Sequence, residues 1–147
     1  MREIVNNLIA EYGTSDPFTI AKRLGISIIY RKLGTVNGFL KTFNVENTIH
    51  SFIFINENLE DMEQYYTVAH ELGHYILHPD TDINFLRKYN ASYPKGRYER
   101  EADLFASYFI ITDEEMLEID NLPYISKAYN LDYAICEERV RYILDGD

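Results

Sequence analysis

Two histidines and a glutamate carry the clearest chemical signal in this sequence. His70, Glu71 and His74 form the pattern H-E-x-x-H in a segment whose apolar residues have helical spacing. Residues four apart project from one face of an α-helix, so the two imidazoles can converge on one metal ion. Glu71 lies beside that face, where its carboxylate could take a proton from a water molecule at the ion. The pattern predicts a catalytic zinc site; the alternative is a buried helix whose histidines only pack or form hydrogen bonds.

A catalytic zinc site keeps one open position and needs a third protein ligand. His78 continues the spacing of the first two histidines. The helical rise, however, separates it from His70 by about 12 Å along the axis, too far for a shared ion. We therefore expect His78 to face the dipole at the C-terminal end of the helix, with a role in stabilising the transition state as the alternative.

A second helical segment supplies a better candidate for the third ligand. Glu99 and Asp103 share one helix face with two alanines, whose small side chains permit another helix to approach closely. Glu99 is predicted to bind the metal, and Asp103 to accept the remaining ring N–H of a ligating histidine. Glu101 points about 160° to 200° away from these acids and is expected to face solvent or the neighbouring arginines. The alternative for all three acids is a charge cluster that stabilises a helix N-terminus.

The remaining sequence changes from helical to strand patterns and back. Helical spacing predicts two short helices that end at Gly13 and Gly25. Three β-branched and aromatic runs then predict a small antiparallel meander, at residues 26–33, 38–43 and 48–55. The helical period returns over 58–78 and over 98–111, and residues 79–97 are predicted to form a long loop. A capping box at 112–115 predicts a further helix, and two short helices are predicted at about 124–129 and 132–144. Helices and strands grouped in blocks predict an α+β fold.

The composition narrows the classes of partner. The 147 residues include 14 Lys and Arg against 24 Asp and Glu, which gives a formal net charge of −10. This charge argues against binding to nucleic acid, which requires a basic face. The chain has neither an apolar run long enough to span a membrane nor a signal-peptide core near Met1, and its lone Cys136 cannot form an intrachain disulfide. We expect a soluble, cytoplasmic protein that acts on neither membranes nor nucleic acid.

Two segments resemble a known family. HELGHYILH at 70–78 and EREADLFA at 99–106 resemble the ImmA/IrrE family of zinc-dependent metallopeptidases. Residues 12–26 and 130–142 also look like that family, whereas residues 109–112 lack the proline that many relatives have there. The resemblance implies a single zincin-like domain over residues 1–147, with a short, mostly antiparallel sheet packed against an active-site helix and further helices. It also implies one zinc ion per chain, with His70, His74 and Glu99 as ligands and Glu71 as the general base.

The same resemblance implies cleavage of a regulatory protein, a helix-turn-helix repressor of a phage or mobile element. The alternative is a metal-bearing module that sequesters a transcriptional regulator without cutting it, and DNA binding is a third possibility that the net charge disfavours. Donors that could stabilise the oxyanion are Tyr98, His78 and two tyrosines of the predicted loop, Tyr89 and Tyr93. If the strand at 48–55 forms the sheet edge beside the cleft, a substrate could add to it as a further strand.

Overall fold

The computed structural model describes residues 1–89 and 96–146 of the chain. Within these ranges helices surround a small mixed sheet, which confirms the predicted α+β class. No helix in the described part is both long and apolar enough to cross a membrane. The strands are β1 (Ile26–Arg31), β2 (Gly38–Val45) and β3 (Thr48–Asn56). The α-helices are α1 (Arg2–Tyr12), α2 (Pro17–Arg23), α3 (Asp61–Leu77), α4 (Ile83–Tyr89), α5 (Arg97–Ile110), α6 (Asp113–Leu117), α7 (Leu122–Tyr129) and α8 (Tyr133–Asp145).

The sheet has the order β1-β3-β2, which differs from the predicted meander. β2 and β3 form the expected antiparallel hairpin, but β1 pairs parallel to β3, with Ile26 opposite Ser51. Residues 32–37 carry the chain across the end of β3, and the buried Asn56 side chain donates to the carbonyls of Gly34 and Val36 in this connection. β3 is therefore the central strand, and β2 is the edge strand next to α3, a role that the sequence analysis had considered for residues 48–55.

The hydrophobic core lies between one face of this sheet and the helices. Ile53 and Ile55 of β3 point into it and are fully buried. α3 and α5 pack closely because Gly73 presents no side chain: a Cβ atom there would lie 3.1 Å from Phe105 and 3.3 Å from the backbone of Ala102. This close approach brings two helices that carry chemically active residues side by side.

The region predicted as a long loop contains α4. Proline and aspartate residues at 79–82 signal a loop, and α4 itself is only seven residues long, so its helical spacing was easily missed. The side chain of Asn84 donates to the backbone oxygen of Leu40 at 2.5 Å and so attaches α4 to β2. Tyr93, the loop tyrosine proposed as an oxyanion donor, lies outside the described residues, as does the side chain of Tyr89.

Candidate metal centre

Three side chains from α3 and α5 converge at one point. His70 Nε2 and His74 Nε2 lie 3.1 Å apart, and Glu99 Oε2 lies 3.0 Å from His70 Nε2. The donor atoms of the three residues all lie within 4.8 Å of one another. Two imidazole nitrogens and one carboxylate form a donor set that suits a catalytic zinc ion, because they leave one coordination position open. The geometry therefore fits a single metal ion.

The ring of His70 is held from its other side. Its Nδ1 lies 2.8 Å from Asp103 Oδ1, and the same carboxylate accepts a hydrogen bond from the hydroxyl of Tyr66. A carboxylate can only accept here, so Nδ1 carries a hydrogen, and Nε2 is the nitrogen that can offer a lone pair to a metal ion once its own proton has left. The sequence analysis assigned this contact to Asp103, and the structure places the residue at the required distance.

The ring of His74 has a histidine in the equivalent place. His74 Nδ1 lies 3.1 Å from His78 Nδ1, and His78 Nε2 lies 2.7 Å from Glu101 Oε2. Glu101 also accepts a hydrogen bond from Arg97, as expected, but it does not simply face solvent. Tyr98 packs edge-on against His78, with ring centroids 4.9 Å apart. The structure thus places His78 and Tyr98 behind His74, outside the donor set.

Glu71 lies at the edge of the donor set and is only 2% exposed. Its Oε2 accepts a hydrogen bond of 3.0 Å from the backbone N–H of Leu40 in β2. β2 can come this close because Gly38 lies against α3: a Cβ atom at Gly38 would lie 2.6 Å from the side chain of Thr67. A backbone donor therefore fixes the orientation of the carboxylate that the sequence analysis named as general base.

Arg87 of α4 extends its guanidinium group into the donor set. Its Nη2 lies 3.2 Å from His74 Nε2 and 3.3 Å from Glu71 Oε1. Its Nε donates to Glu99 Oε1 at 2.8 Å, so the guanidinium group pairs with both carboxylates. Arg87 is not predicted from the sequence, because nothing there distinguishes it from the adjacent Lys88.

Burial and close contacts shift the pKa values of these groups. Burial lowers the pKa of His70, but Asp103 and Glu99 outweigh burial and raise this pKa to about 10. Burial also lowers the pKa of His74 and favours its neutral form. Burial raises the pKa of Glu99, yet hydrogen bonds from the two histidines and Arg87 lower it below its usual range. Glu99 is therefore ionised and His74 neutral, as metal ligands must be, whereas a metal ion at His70 would have to displace a proton.

Two cavities flank this centre. One of about 250 Å³ is lined by residues that include His70, Glu71 and Glu99. The other, of about 290 Å³, lies beside His74 and the β2 residues Leu40 and Thr42. An extended chain lying along β2 would run between these cavities and pass the donor set.

Comparisons with known proteins found a matching family model and similar proteins. The Peptidase_M78 family model, described as the IrrE N-terminal-like domain, matches residues 21–135. The chain is 38% identical over 122 residues to the protein named metallopeptidase ImmA from Bacillus subtilis (strain 168), a match that covers 82% of this chain and 68% of that protein. It is also 32% identical over 114 residues to the uncharacterized immunity region protein 2 of Bacillus phage phi105, covering 77% of this chain and 69% of the phage protein.

Proposed function

The chain belongs to the IrrE N-terminal-like family of metallopeptidases, and we propose that it is a zinc-dependent endopeptidase that cleaves a regulatory protein, a helix-turn-helix repressor of a phage or mobile element. The observation that carries the proposal is the convergence of His70, His74 and Glu99 beside the buried carboxylate of Glu71. These four residues would provide the ligands and the base for hydrolysis of a peptide bond.

In this proposal His70, His74 and Glu99 hold one zinc ion. When bound, zinc supplies a Lewis acid that favours ionisation of water and polarises the scissile carbonyl group. The chain contributes by keeping the ligands in the correct form. Asp103 supports this by fixing the tautomer of His70, and Gly73 by allowing α5 to bring Glu99 close to α3.

Glu71 acts as the general base. It accepts a proton from the attacking water and then transfers it to the amine that leaves when the peptide bond breaks. The hydrogen bond from Leu40 N–H orients one carboxylate oxygen, and the other oxygen faces Arg87. For the oxyanion, Tyr98 and His78 stay predictions. Arg87, a cation that pairs with Glu71 and is 28% exposed, is a further candidate once a metal ion has taken its place among the donors.

The substrate would bind as an extended strand along β2 rather than β3. β2 is an edge strand, and the backbone groups of Leu40 point away from β3, as their hydrogen bonds with the side chains of Glu71 and Asn84 show. By the alternation of an antiparallel strand, Thr42 turns its backbone groups toward the same edge. A peptide could therefore pair with the backbone groups of Thr42, while those of Leu40 stay bonded to Glu71 and Asn84, and its scissile bond would lie beside the donor set.

Two observations support a repressor as the substrate. The chain resembles a protein from a phage immunity region. Its net charge of −10 would also attract a basic DNA-binding protein. Such a substrate would place the reaction in the cytoplasm. The alternative function, sequestration of the regulator without cleavage, would use the same acidic surface but would not need Glu71 as a base.

Substitution of Glu71 separates the two functions. Glu71→Gln preserves the shape of the side chain but removes the proton acceptor. We expect this variant to bind the repressor and retain its metal, while cleavage falls at least about a hundredfold. Cleavage is measured by mass spectrometry of purified repressor incubated with the protein. Glu57→Gln, an exposed substitution with the same charge change, is the control and should cleave normally. If Glu71→Gln relieves repression in cells as well as the parent, sequestration is the function and the peptidase proposal fails.

A further inference from the structure

A chain of hydrogen bonds leads away from the proposed metal ligand His74. His74 Nδ1 lies 3.1 Å from His78 Nδ1, and His78 Nε2 lies 2.7 Å from the carboxylate of Glu101. Both histidine rings are buried, with side-chain exposures of 0% for His74 and 3% for His78. Water therefore has little access to their ring nitrogens, and the partners that these nitrogens have in the protein decide where the hydrogens lie.

The direction of this chain follows from its last member. The carboxylate of Glu101 accepts, so Nε2 of His78 must donate. A neutral His78 then has only a lone pair on Nδ1, which can accept but not donate. His74 must therefore place its hydrogen on Nδ1, and its Nε2 keeps the lone pair that faces His70 and Glu99.

We propose that His78 and Glu101 are positioning residues, which fix the tautomer of His74 and so direct its Nε2 lone pair at the metal. The inference rests on the proposed metal site and extends it to His78 and Glu101, which lie outside the donor set. It gives the two ligand histidines of α3 matching support: His70 has Asp103 directly, and His74 reaches a carboxylate through a second imidazole.

The surroundings of Glu101 and His78 hold this chain in place. Arg97 donates to the second carboxylate oxygen of Glu101 at 2.6 Å. Tyr98 packs against the ring of His78 and limits its rotation. Glu99 and Glu101 of α5 therefore have different roles. The carboxylate of Glu99 belongs to the donor set, and that of Glu101 contacts His78 at the C-terminal end of α3.

Metal affinity in the absence of substrate tests the proposal. Removal of a group that orients a ligand histidine typically weakens metal binding 10- to 100-fold. We expect His78→Leu and Glu101→Ala to raise the zinc dissociation constant by about this factor in competition with a chromophoric chelator. His78→Gln offers a carbonyl oxygen to His74 Nδ1 and should restore most of the affinity. Glu137→Ala, which removes an exposed acid on α8, is the control for charge, and Glu99→Ala marks the loss of a ligand.

The tautomer itself can be read in the unaltered protein. Long-range ¹H–¹⁵N correlation spectra, recorded with and without zinc, distinguish a histidine protonated on Nδ1 from one protonated on Nε2, and the zinc-free spectrum shows the tautomer before the metal can impose it. We expect His74 to carry its hydrogen on Nδ1 and His78 on Nε2. This measurement needs no variant, so it decides the question even if a substitution prevents folding.

Two results would overturn the inference: wild-type zinc affinity in folded His78→Leu and Glu101→Ala proteins, or a His78 that carries its hydrogen on Nδ1 alone. Neither result would touch the peptidase proposal, provided that the chain still binds zinc through Glu99. Conversely, an absence of cleavage with intact zinc binding would remove the proposed function and leave the positioning roles standing.

Discussion

Arg87 occupies the position where the metal donors face one another. Its Nη2 lies within 3.5 Å of both ligand histidines, so the guanidinium group and a metal ion cannot share these donors. We expect Arg87→Gln to bind zinc about tenfold more tightly, which corresponds to about 1.4 kcal/mol, because a competing cation is removed. Chelator competition measures the change, and Lys127→Gln, an exposed substitution on α7, controls for net charge. Weaker binding by Arg87→Gln would instead mean that Arg87 supports the donor set by holding Glu99.

The sequence is sufficient to relate site residues that lie on the same helix. It does not predict which residues of different elements come into contact. Helical geometry alone relates His70 to His74 and Glu99 to Asp103. Helical geometry also gives the direction of Glu101 relative to Glu99 and Asp103 on α5. The residues that Glu101 contacts depend on how α5 crosses α3, and that crossing brings it to His78 at the C-terminal end of α3. Arg87 depends on a helix that the sequence did not reveal.

Between elements, Gly73 sets the distance from α3 to α5. A Cβ atom at this position would lie 3.1 Å from Phe105 Cδ1, so Gly73→Ala must push α5 away by a few tenths of an ångström. We expect lower zinc affinity, because Glu99 moves with α5. We also expect a loss of about 1 kcal/mol in unfolding free energy, since overpacking outweighs the better helix propensity of alanine.

Urea denaturation and chelator titration measure these two effects separately. Gly73→Ser, with a larger side chain, should show both losses more strongly. If neither substitution changes zinc affinity, the spacing of α3 and α5 does not position Glu99.

The helices and strands differ in how clearly the sequence pattern predicts them. α3 and α5 have long periodic patterns, and the structure contains both close to the predicted bounds. The β-branched and aromatic run at residues 26–33 predicts a strand but not its direction, because successive side chains point to opposite faces in parallel and antiparallel strands alike. Its pairing with β3 depends on the connection anchored by Asn56, a contact between residues about 20 positions apart.

Across the whole molecule, the net charge of −10 bears on the choice of partner. A basic repressor should associate faster at low salt, because the two proteins carry opposite net charges. Duplex DNA, which is negatively charged like the chain, should be repelled. We expect binding to the repressor to weaken as salt rises, mainly through a slower association rate. Titration of the chain against the repressor and against duplex DNA over a salt series measures this. Tight, salt-sensitive binding to DNA alone would revive the DNA-binding alternative.

Arg87, the cation that α4 places among the donors, also bears on whether the chain needs a metal ion in order to fold. Arg87 already pairs with the buried carboxylate of Glu71 and the half-buried carboxylate of Glu99, and the hydrophobic core is built from other residues. We therefore expect the chain to fold without a metal ion, in contrast to small zinc-finger domains that are unfolded without theirs. The supply of the ion, rather than new synthesis of the protein, would then determine how soon hydrolysis begins.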